Sequence, residues 1–388
     1  MSVPVAMVAG EASGDLLAGL LLSALKRRMP QLAAYGIGGP RMAEQGFRVD
    51  WPIDKLAVRG YVEVLRHYPE IAGIRKTLKR RLLAEPPALF IGIDAPDFNL
   101  DLELDLRDAW RGQGRPVVHF IGPSIWAWRG KRIEKIRRAV DHILVLFPFE
   151  EAIYREAGIA ATYVGHPLAD VIALDPDRAA ARRALGLPQG ARIVALLPGS
   201  RLAEVHYMAR AFIDAAVLLS QRHPDVRFIV PTASAESRRT FETIRSERHD
   251  GLSLQIFDGR SHDALAAADA VLVASGTATL ETALFKRPMV IAYKMAALSA
   301  VIMRRMGYLP WVGLPNILAR QMLVPEFLQE EATPEALAHA LDYQLCDVHN
   351  RIRLEERFRT MHESLRCNTG ERAAAVIAEL LERSSLHA

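Results

Sequence analysis

Two carboxylates follow one apolar run of this sequence and could take part in proton transfer. The segment Gly92–Asn99 (GIDAPDFN) overlaps the end of the run Leu89–Ile93 and carries Asp94 and Asp97. A carboxylate just past a buried strand is poorly solvated, and burial makes it a better proton acceptor. Asp94 is therefore a candidate general base. The competing interpretation is structural: Asp97 caps a helix that starts near Phe98, and Asp94 fixes the loop.

Three further segments combine glycine with hydroxyl groups or charge, as phosphate sites do. They are Gly10–Asp15 (GEASGD), Leu197–Arg201 (LPGSR) and Ala274–Glu281 (ASGTATLE), each at the end of an apolar run. Glycine lets the backbone approach a phosphate, and a helix N-terminus donates N–H groups to it. Ser13 and Asp15 in the first segment suit a phosphate or a sugar hydroxyl, or they cap the following helix.

The two later segments predict a nucleotide diphosphate site. Arg201 can bind a diphosphate in a bidentate manner. Glu281 falls one turn into a helix, where it could accept hydrogen bonds from ribose hydroxyls, although Thr277 and Glu281 could instead stabilise the first turn. Asn316, in the short Leu314–Asn316 segment (LPN), could face the same ligand. None of these sequences is GxGxxG, which disfavours a nicotinamide cofactor.

Other polar and aromatic residues admit both functional and structural interpretations. Trp126 and Trp128 precede Arg129 in a loop after an apolar run, so they suit either an acceptor pocket or packing between domains. His119 and His166 favour structural roles. The one Asp-x-Asp, Asp175–Asp177, contains a proline within a linker, which favours a solvated turn over a metal site.

The elements around these segments alternate between apolar runs and amphipathic helices, as in parallel α/β sheets covered by helices on both faces. We expect two Rossmann-like domains, an N-terminal one over residues 1–168 and a C-terminal one over 169–345. The link between them begins in Gly165–Gly190, which is rich in Pro, Gly and Asp. The helical tail, from about 346 to 388, is expected to return to the first domain. The first apolar series is Val3–Ala9, Leu89–Ile93, Val117–Ile121, Ile143–Leu146 and Thr162–Val164; the second is Ile193–Leu197, Arg227–Val230, Ser253–Phe257, Ala270–Val273 and Met289–Ala292.

The composition excludes several protein classes. The 388 residues are 50% hydrophobic and 24% charged, which is the composition of an ordinary globular protein. The net charge of +4 is a mild basic excess that suits anionic partners. The sequence has no block of basic residues typical of nucleic-acid binding. It also has no run of roughly 20 apolar residues, and the start resembles a strand rather than a signal peptide. Two cysteines without metal spacing predict free thiols in a reducing cytosol.

Two segments have the mixture of apolar and basic residues found in interfacial membrane helices. Val62–Leu83 carries five closely spaced cations, and Met295–Leu314 is strongly apolar with Arg304 and Arg305. Cations beside an apolar surface favour contact with anionic lipid. For Val62–Leu83 a core-facing helix with a solvated basic side is slightly favoured, whereas Met295–Leu314 favours the membrane.

Taken in order, these segments resemble the lipid A disaccharide synthase family. The matching sequences are GEASGD, GGPRM (Gly38–Met42), GIDAPDFN, PSIWAWR, VGHP, LLPGSR, ASGTATLE, LPN and RCN (Arg366–Asn368). The resemblance implies a GT-B fold, in which two Rossmann-like doubly wound domains flank an active site in the cleft between them. It implies an inverting glycosyltransferase that condenses UDP-2,3-diacylglucosamine with 2,3-diacylglucosamine 1-phosphate. The products are a β-1,6-linked disaccharide 1-phosphate and UDP.

The resemblance also implies roles for individual residues. Asp94 would be the base for the acceptor 6-hydroxyl, while Ser13 and Asp15 would face the donor sugar or the acceptor. The residues that would hold UDP are Ser200, Arg201, Ser275, Gly276, Thr277, Thr279, Glu281 and Asn316. No cofactor and no metal are expected. The family works in the cytoplasm at the inner face of the inner membrane, and its C-terminal segments can swap within a homodimer.

Proteins with other functions have similar nucleotide-binding segments. An epimerase or another UDP-sugar transferase would share the nucleotide site, although GIDAPDFN and PSIWAWR favour the disaccharide synthase. A non-catalytic protein that binds nucleotide sugar or lipid would bind without turnover and would be indifferent to Asp94→Ala. A nicotinamide oxidoreductase is the least favoured alternative.

Overall fold

The computed structural model describes residues 2–56, 61–127, 130–247, 251–296 and 309–385, without the side chains of 61–68 and 385. The chain divides into two compact units. The first comprises residues 1–170 and 365–388, and the second comprises 171–364. Each unit contains a parallel sheet covered by helices, so the α/β class expected from the sequence is confirmed.

The secondary structure alternates between strands and helices along the chain. The strands are β1 (Val3–Ala9), β2 (Leu32–Gly38), β3 (Arg48–Pro52), β4 (Leu89–Ile93), β5 (Val117–Phe120), β6 (His142–Val145), β7 (Ala161–Tyr163), β8 (Ile193–Leu197), β9 (Arg227–Thr232), β10 (Leu254–Asp258), β11 (Ala270–Ala274), β12 (Met289–Tyr293) and β13 (Glu326–Leu328). The helices are α1 (Ala12–Arg28), α2 (Pro40–Glu44), α3 (Tyr61–Ala84), α4 (Pro96–Ala109), α5 (Arg132–Ala139), α6 (Pro148–Glu156), α7 (Pro167–Val171), α8 (Arg178–Ala184), α9 (Leu202–Arg222), α10 (Ala235–Ser246), α11 (Ser261–Ala267), α12 (Thr277–Leu284), α13 (Leu314–Ala319), α14 (Pro334–Cys346), α15 (Val348–Leu365) and α16 (Thr369–Ser385). Short 3-10 turns occupy Ile53–Lys55 and Gln329–Glu331.

The sheet of the first unit has the strand order β3-β2-β1-β4-β5-β6-β7, with parallel pairing between neighbours. Successive residues of β1 point to opposite faces, so Val5 and Met7 pack with α1 and α16, while Ala6 and Val8 pack with α3 and α4. The central strand is consequently apolar on both faces, as its uninterrupted apolar run predicts.

The C-terminal helix α16 belongs to the first unit. Its residues Ala373, Ala374 and Ile377 are buried in the same core as α1. At its start, the Asp170 carboxylate accepts hydrogen bonds from the backbone N–H groups of residues 368 and 369, at 2.8 and 2.7 Å. Glu371 forms ion pairs with two arginines at the end of α1. The return of the chain occurs near residue 365, later than the expected 346, because α15 stays with the second unit up to Ser364.

The sheet of the second unit has the order β10-β9-β8-β11-β12-β13, again with parallel neighbours. Its core packs α9 and α14 against β8, β9 and β11, and it includes Phe212, Phe228 and Leu341. The Asp175–Asp177 turn lies in this unit. Asp177 caps α8 through Ala180 N–H at 2.8 Å, and Asp175 pairs with Arg359. Both carboxylates therefore have structural partners.

The described helices include none that is long and apolar enough to cross a membrane. In α3, the buried face contains Ile74, Leu78 and Leu82, and the cations Arg75, Lys79 and Arg81 pair with acidic residues of the same unit. The described part of this helix thus has the core-facing arrangement slightly favoured above. Residues 297–308 of the other candidate membrane segment, Met295–Leu314, lie outside the described residues, as do Trp128 and Arg129.

Candidate active site

The topology of each sheet places two of the predicted segments side by side. In the first sheet β1 neighbours β4, and in the second β8 neighbours β11, so each pair marks the point where the strand order reverses. Ligands of doubly wound sheets bind at the carboxyl ends of the strands at such points. GEASGD and GIDAPDFN follow the first pair, and LPGSR and ASGTATLE follow the second.

The turn that carries Asp94 is strained. Asp94 and Ala95 have φ angles of 53° and 42°, and Ile121, at the end of the neighbouring β5, has a φ of 77°. Left-handed backbone is unfavourable for residues other than glycine, and for a β-branched residue such as Ile121 it is an outlier. Strain of this kind persists only where the surrounding structure enforces it, and it is concentrated at functional sites.

The half-buried Asp94 borders a small cavity of about 220 Å³. Its backbone N–H donates to the carbonyl of Phe120 at 2.9 Å, which ties the turn to β5. The Ser13 hydroxyl lies 3.5 Å from the Asp94 carboxylate, so the structure brings these two predicted residues together. The cavity is lined by Asp94, Pro96, Ile121, Gly122, Pro123, Ser124, Ile125 and Arg132.

The GEASGD loop lies close to this turn because Gly10 has no side chain. A Cβ atom at Gly10 would lie 2.2 Å from the Cβ of Ala95. Helix α4 begins at Pro96 with Ala95 as its N-cap residue, so Asp97 lies within the first turn, and its exposed carboxylate forms an ion pair with Arg132. The helix therefore starts before Asp97, and Asp97 is not its N-cap residue.

Asp15 differs from its expected role at the donor sugar or acceptor. It is only 3% exposed, and its carboxylate accepts backbone hydrogen bonds from Gly39, Arg41 and Met42 at 2.9, 3.0 and 3.1 Å. These N–H groups belong to the start of α2 and have no partner within that helix. Asp15 thus joins GEASGD to GGPRM as a structural cap, and a role in substrate binding stays a prediction.

An aromatic cluster surrounds Trp126 at the carboxyl end of β6. The Trp126 indole N–H donates to Glu150 at 2.9 Å, and its ring contacts Phe147 and Phe149 edge-on. Burial raises the pKa of Glu150 to about 7, although its hydrogen bonds oppose this rise. His166 stacks on Phe147, and burial lowers its pKa to about 4.

The second unit contains a cavity of about 320 Å³ at the carboxyl ends of β8, β9, β10 and β11. Of the residues predicted to hold UDP, Ser200, Arg201, Ser275, Gly276, Thr277 and Glu281 line it. The sequence prediction and the topology thus locate the same cavity. The exposed Arg201 side chain supplies positive charge, and the N-terminus of α12 lies at Gly276 and Thr277.

The LPGSR loop already holds a carboxylate in place. Glu204, on the first turn of α9, accepts hydrogen bonds from the backbone N–H groups of Ser200 and Arg201 at 3.1 and 3.3 Å. These N–H groups would otherwise be available to an anion. Glu204 also lies 3.5 Å from the exposed Arg201 guanidinium, so in the state described one carboxylate engages both the backbone and the cation of this loop.

Glu281 lines the cavity from α12 and is about one-fifth exposed. Its carboxylate lies 3.5 Å from the imidazole of His262, and this hydrogen bond raises the pKa of His262. Thr279, in contrast, is fully buried. Its hydroxyl donates to the carbonyl of Gly276 and accepts from the backbone of Leu314, so it fixes the start of α12 instead of lining the cavity.

Asn316 likewise has its hydrogen-bonding groups engaged within the second unit. It is fully buried, and its amide group donates to the carbonyl of Val324 and to Glu326, each at 2.8 Å. Its oxygen accepts from the backbone of Leu323 and Val324 at 2.8 and 3.1 Å. The side chain therefore connects α13 to the segment before β13. This is a structural role, and the expected contact of Asn316 with UDP stays a prediction.

The sequence of the chain matches known proteins over nearly its whole length. The profile of the lipid-A-disaccharide synthetase family matches residues 5–377. The lipid-A-disaccharide synthase of Aromatoleum aromaticum is 54% identical over 385 residues, with 99% of this chain and 97% of that protein covered. The corresponding protein of Paraburkholderia xenovorans is 56% identical over 380 residues, covering 98% and 96%.

The chain belongs to the lipid-A-disaccharide synthase family. Its activity is accordingly that of a glycosyltransferase of lipid A biosynthesis. This result confirms the family resemblance of the sequence segments and favours a synthase over the epimerase, oxidoreductase and non-catalytic alternatives.

Solved structures agree on the GT-B fold of the family. The calicheamicin glycosyltransferase CalG4 superposes with a TM-score of 0.61 at 14% identity, with 99% of each chain covered. A UDP-GlcNAc 2-epimerase from Neisseria meningitidis, bound to UDP-GlcNAc, has a TM-score of 0.58 at 12% identity and covers 98% of this chain and 100% of that one. At these identities the likeness concerns the fold.

The sequence analysis missed several residues that line the cavity of the second unit. Thr232, Gly259 and Ser261 line it from the ends of β9 and β10, and Glu204 lines it from α9. The signal available for the first three was positional: parallel strands present their carboxyl ends at one edge of the sheet, so the residues after β9 and β10 had to reach that edge.

One group of metal-ligand type residues occurs in the described part of the second unit, outside this cavity. His223, Asp342 and Cys346 bring one ligand atom each within 4.8 Å of one another. Asp342 is already paired with His223 at 2.7 Å and with Arg222 at 3.3 Å, and Arg192 lies 3.9 Å from the Cys346 sulfur. Two cations beside the group oppose the binding of a third.

Proposed function

We propose that this enzyme transfers the sugar of UDP-2,3-diacylglucosamine to the 6-hydroxyl of 2,3-diacylglucosamine 1-phosphate. The family supports disaccharide synthesis, and the resemblance of the sequence segments supplies these substrates. The observation that carries the proposal is the position of Asp94. A half-buried carboxylate stands on a strained turn, beside a cavity, at the strand end where this fold binds ligands.

In the proposed reaction the second unit binds the leaving group. Breaking the bond between the anomeric carbon and the diphosphate oxygen leaves negative charge on UDP. Arg201 and the N-terminus of α12 stabilise that charge from fixed positions, so the protein needs little rearrangement during the reaction. Glu281 is placed on the same cavity to accept hydrogen bonds from the ribose hydroxyls.

In the first unit Asp94 acts as the general base. The 6-hydroxyl oxygen of the acceptor bonds to the anomeric carbon as the bond to UDP breaks, and the hydroxyl proton passes to the Asp94 carboxylate. A single attack from the face opposite UDP inverts the configuration at that carbon and gives the β linkage. Ser13, 3.5 Å from Asp94, is placed to hold the acceptor or the carboxylate during this step.

The substrates carry acyl chains, so the enzyme has to meet a lipid surface. We place it at the cytoplasmic face of the inner membrane as a peripheral protein, as the resemblance implies. The net charge of +4 favours contact with anionic lipid. A homodimer formed by exchange of C-terminal segments is compatible with α16, which packs on α1 although it is distant in sequence.

Identification of the products tests the reaction. Purified enzyme is incubated with both substrates, and the products are analysed by mass spectrometry and NMR. We expect UDP and a disaccharide with a β linkage to the 6-oxygen. As a matched control, an acceptor that lacks the 6-hydroxyl should give no UDP release. UDP release with the deoxy acceptor, or a product with the α configuration, would refute the proposed chemistry.

A further inference from the structure

Beneath the Asp94 turn, two ionisable side chains are completely buried. Glu103 of α4 and His119 of β5 are both 0% exposed, and a Glu103 carboxylate oxygen lies 2.7 Å from His119 Nδ1. The second carboxylate oxygen of Glu103, His119 Nε2 and the Asn99 amide oxygen are buried without a hydrogen-bond partner among the described residues. Such burial costs free energy, so this cluster requires an explanation other than packing.

The backbone of β4 is adapted to the pair. Gly92 is the direct neighbour of His119 in the ladder between β4 and β5. A Cβ atom at Gly92 would lie 2.0 Å from the Glu103 carboxylate. Any other residue at this position would therefore displace Glu103, and the glycine of GIDAPDFN makes room for the pair.

The same cluster contacts the Asp94 turn. The Asn99 side chain, next to Glu103, donates to the backbone carbonyl of Asp94 at 2.8 Å. The Asp94 N–H donates to Phe120, the residue that follows His119. Asp94 is also only two residues beyond Gly92. Displacement of the pair would consequently be transmitted to the turn through both β4 and β5.

Electrostatics link His119 to Asp94 as well. Burial lowers the pKa of His119, but the adjacent Glu103 carboxylate and the negative charge of Asp94 raise it, and the net direction is upward. These two carboxylates face the imidazole from α4 and from the turn, whereas its ladder neighbours are Gly92 on β4 and the aliphatic Ile143 on β6. His119 therefore binds a proton more readily than a histidine with the ordinary pKa, and the Asp94 charge contributes to this.

We propose that Glu103 and His119 are positioning residues for the glycosyl transfer: their buried hydrogen-bonded pair holds β4 and β5 together beneath the strained turn and so keeps the Asp94 carboxylate in place, near enough for His119 to sense its charge. The inference rests on the proposed role of Asp94 as the base. Neither residue contacts the substrates; both act through Asp94.

The first test follows His119 by NMR and does not depend on activity. Protein labelled at histidine is titrated, and the His119 signal is identified by its loss in His119→Gln. We expect Asp94→Asn and Glu103→Gln each to lower the titration midpoint of His119. His349→Gln, a change at an exposed position of α15 in the second unit, should leave it unaltered. An unaltered midpoint in Asp94→Asn would overturn the inference.

The second test measures kcat and KM for UDP release. Glutamine retains an amide hydrogen bond, so we expect Glu103→Gln and His119→Gln to fold, which circular dichroism and urea unfolding check. Loss of one charge-assisted contact should lower kcat about tenfold or more, with an unchanged KM for the UDP-sugar.

Three outcomes separate this inference from the proposed function. The double variant should lose no more activity than the more damaged single variant, because both changes interrupt one chain of contacts. A KM for the UDP-sugar that rises as much as kcat falls in His119→Gln would contradict the inference, because it would indicate general damage to the protein. If the wild type released no UDP at all, the proposed function would fail, whereas the NMR titration would still decide the electrostatic interaction between His119 and Asp94.

Discussion

At the scale of single residues, the polar side chains differ in how much of their hydrogen-bonding capacity the fold already uses. Asp15 and Asn316 are saturated by backbone groups, whereas Asp94 and Arg201 keep charge directed to cavities. The sequence predicted all four as site residues, because residue type and a position after a strand look alike in both cases. The partners of Asp15 lie 24 to 27 residues along the chain, beyond any local pattern.

Arg201 provides a residue-scale prediction. Its guanidinium is exposed and lines the second cavity, so Arg201→Gln should weaken UDP binding about 10- to 100-fold, as expected for loss of a charged hydrogen bond. Isothermal titration calorimetry with UDP measures the change. Arg192→Gln is the matched control, since Arg192 directly precedes β8, whereas Arg201 follows the other end of that strand. Equal affinity in wild type and Arg201→Gln would exclude the proposed contact.

At the scale of elements, apolar runs predicted most of the sheets. The runs at β1, β4 and β8 have the bounds found in the structure. The sequence analysis missed β2, β3 and β13. The last two are short edge strands without a fully buried residue, and β2 contains two glycines, so none of them has a long apolar run. Their pairing comes from tertiary context.

The hydrogen bonds by which Asp15 of α1 caps α2 should contribute to the stability of the first unit. Asp15→Asn turns one oxygen into a donor that faces a backbone N–H of α2, so it should destabilise the first unit by about 1–3 kcal/mol. Urea unfolding measures the loss. Ser13→Ala, two residues earlier at the exposed start of α1, should change stability little. An Asp15→Asn protein as stable as the wild type but unable to bind substrate would contradict the structural role and favour the binding role.

At the scale of the whole molecule, the sequence predicted two α/β halves and a C-terminal return to the first. It placed the return too early, because helical periodicity shows that a helix has a buried face but not which unit buries it. In α15, Arg359 pairs with Asp175 and His362 contacts Lys286, both within the second unit. Those partners are more than 70 residues away in sequence.

The free energy of unfolding should depend on pH through the titration of His166. Burial lowers its pKa to about 4 from an ordinary 6.5, so the unfolded chain binds the proton first. The stabilisation from neutral His166 is complete above pH 6.5 and is lost as the pH falls towards 4, by up to about 3 kcal/mol. His166→Asn keeps an acceptor for the Leu168 N–H but cannot titrate.

Urea unfolding of both proteins at pH 7.5 and pH 5 measures this effect. The wild type should lose more stability than His166→Asn on acidification, since the difference between the two proteins isolates the imidazole. An identical loss in both proteins would show that His166 does not charge on unfolding in this range.

The most direct measurement of the central claim is UDP release by wild type and by Asp94→Asn, with UDP-2,3-diacylglucosamine alone and with 2,3-diacylglucosamine 1-phosphate added. The account predicts that release depends on the acceptor in the wild type. It also predicts that kcat falls by about 10²–10⁴ in Asp94→Asn, the usual contribution of a general base, while UDP affinity is unchanged. Release at the wild-type rate from Asp94→Asn would contradict the assignment of Asp94 as the base.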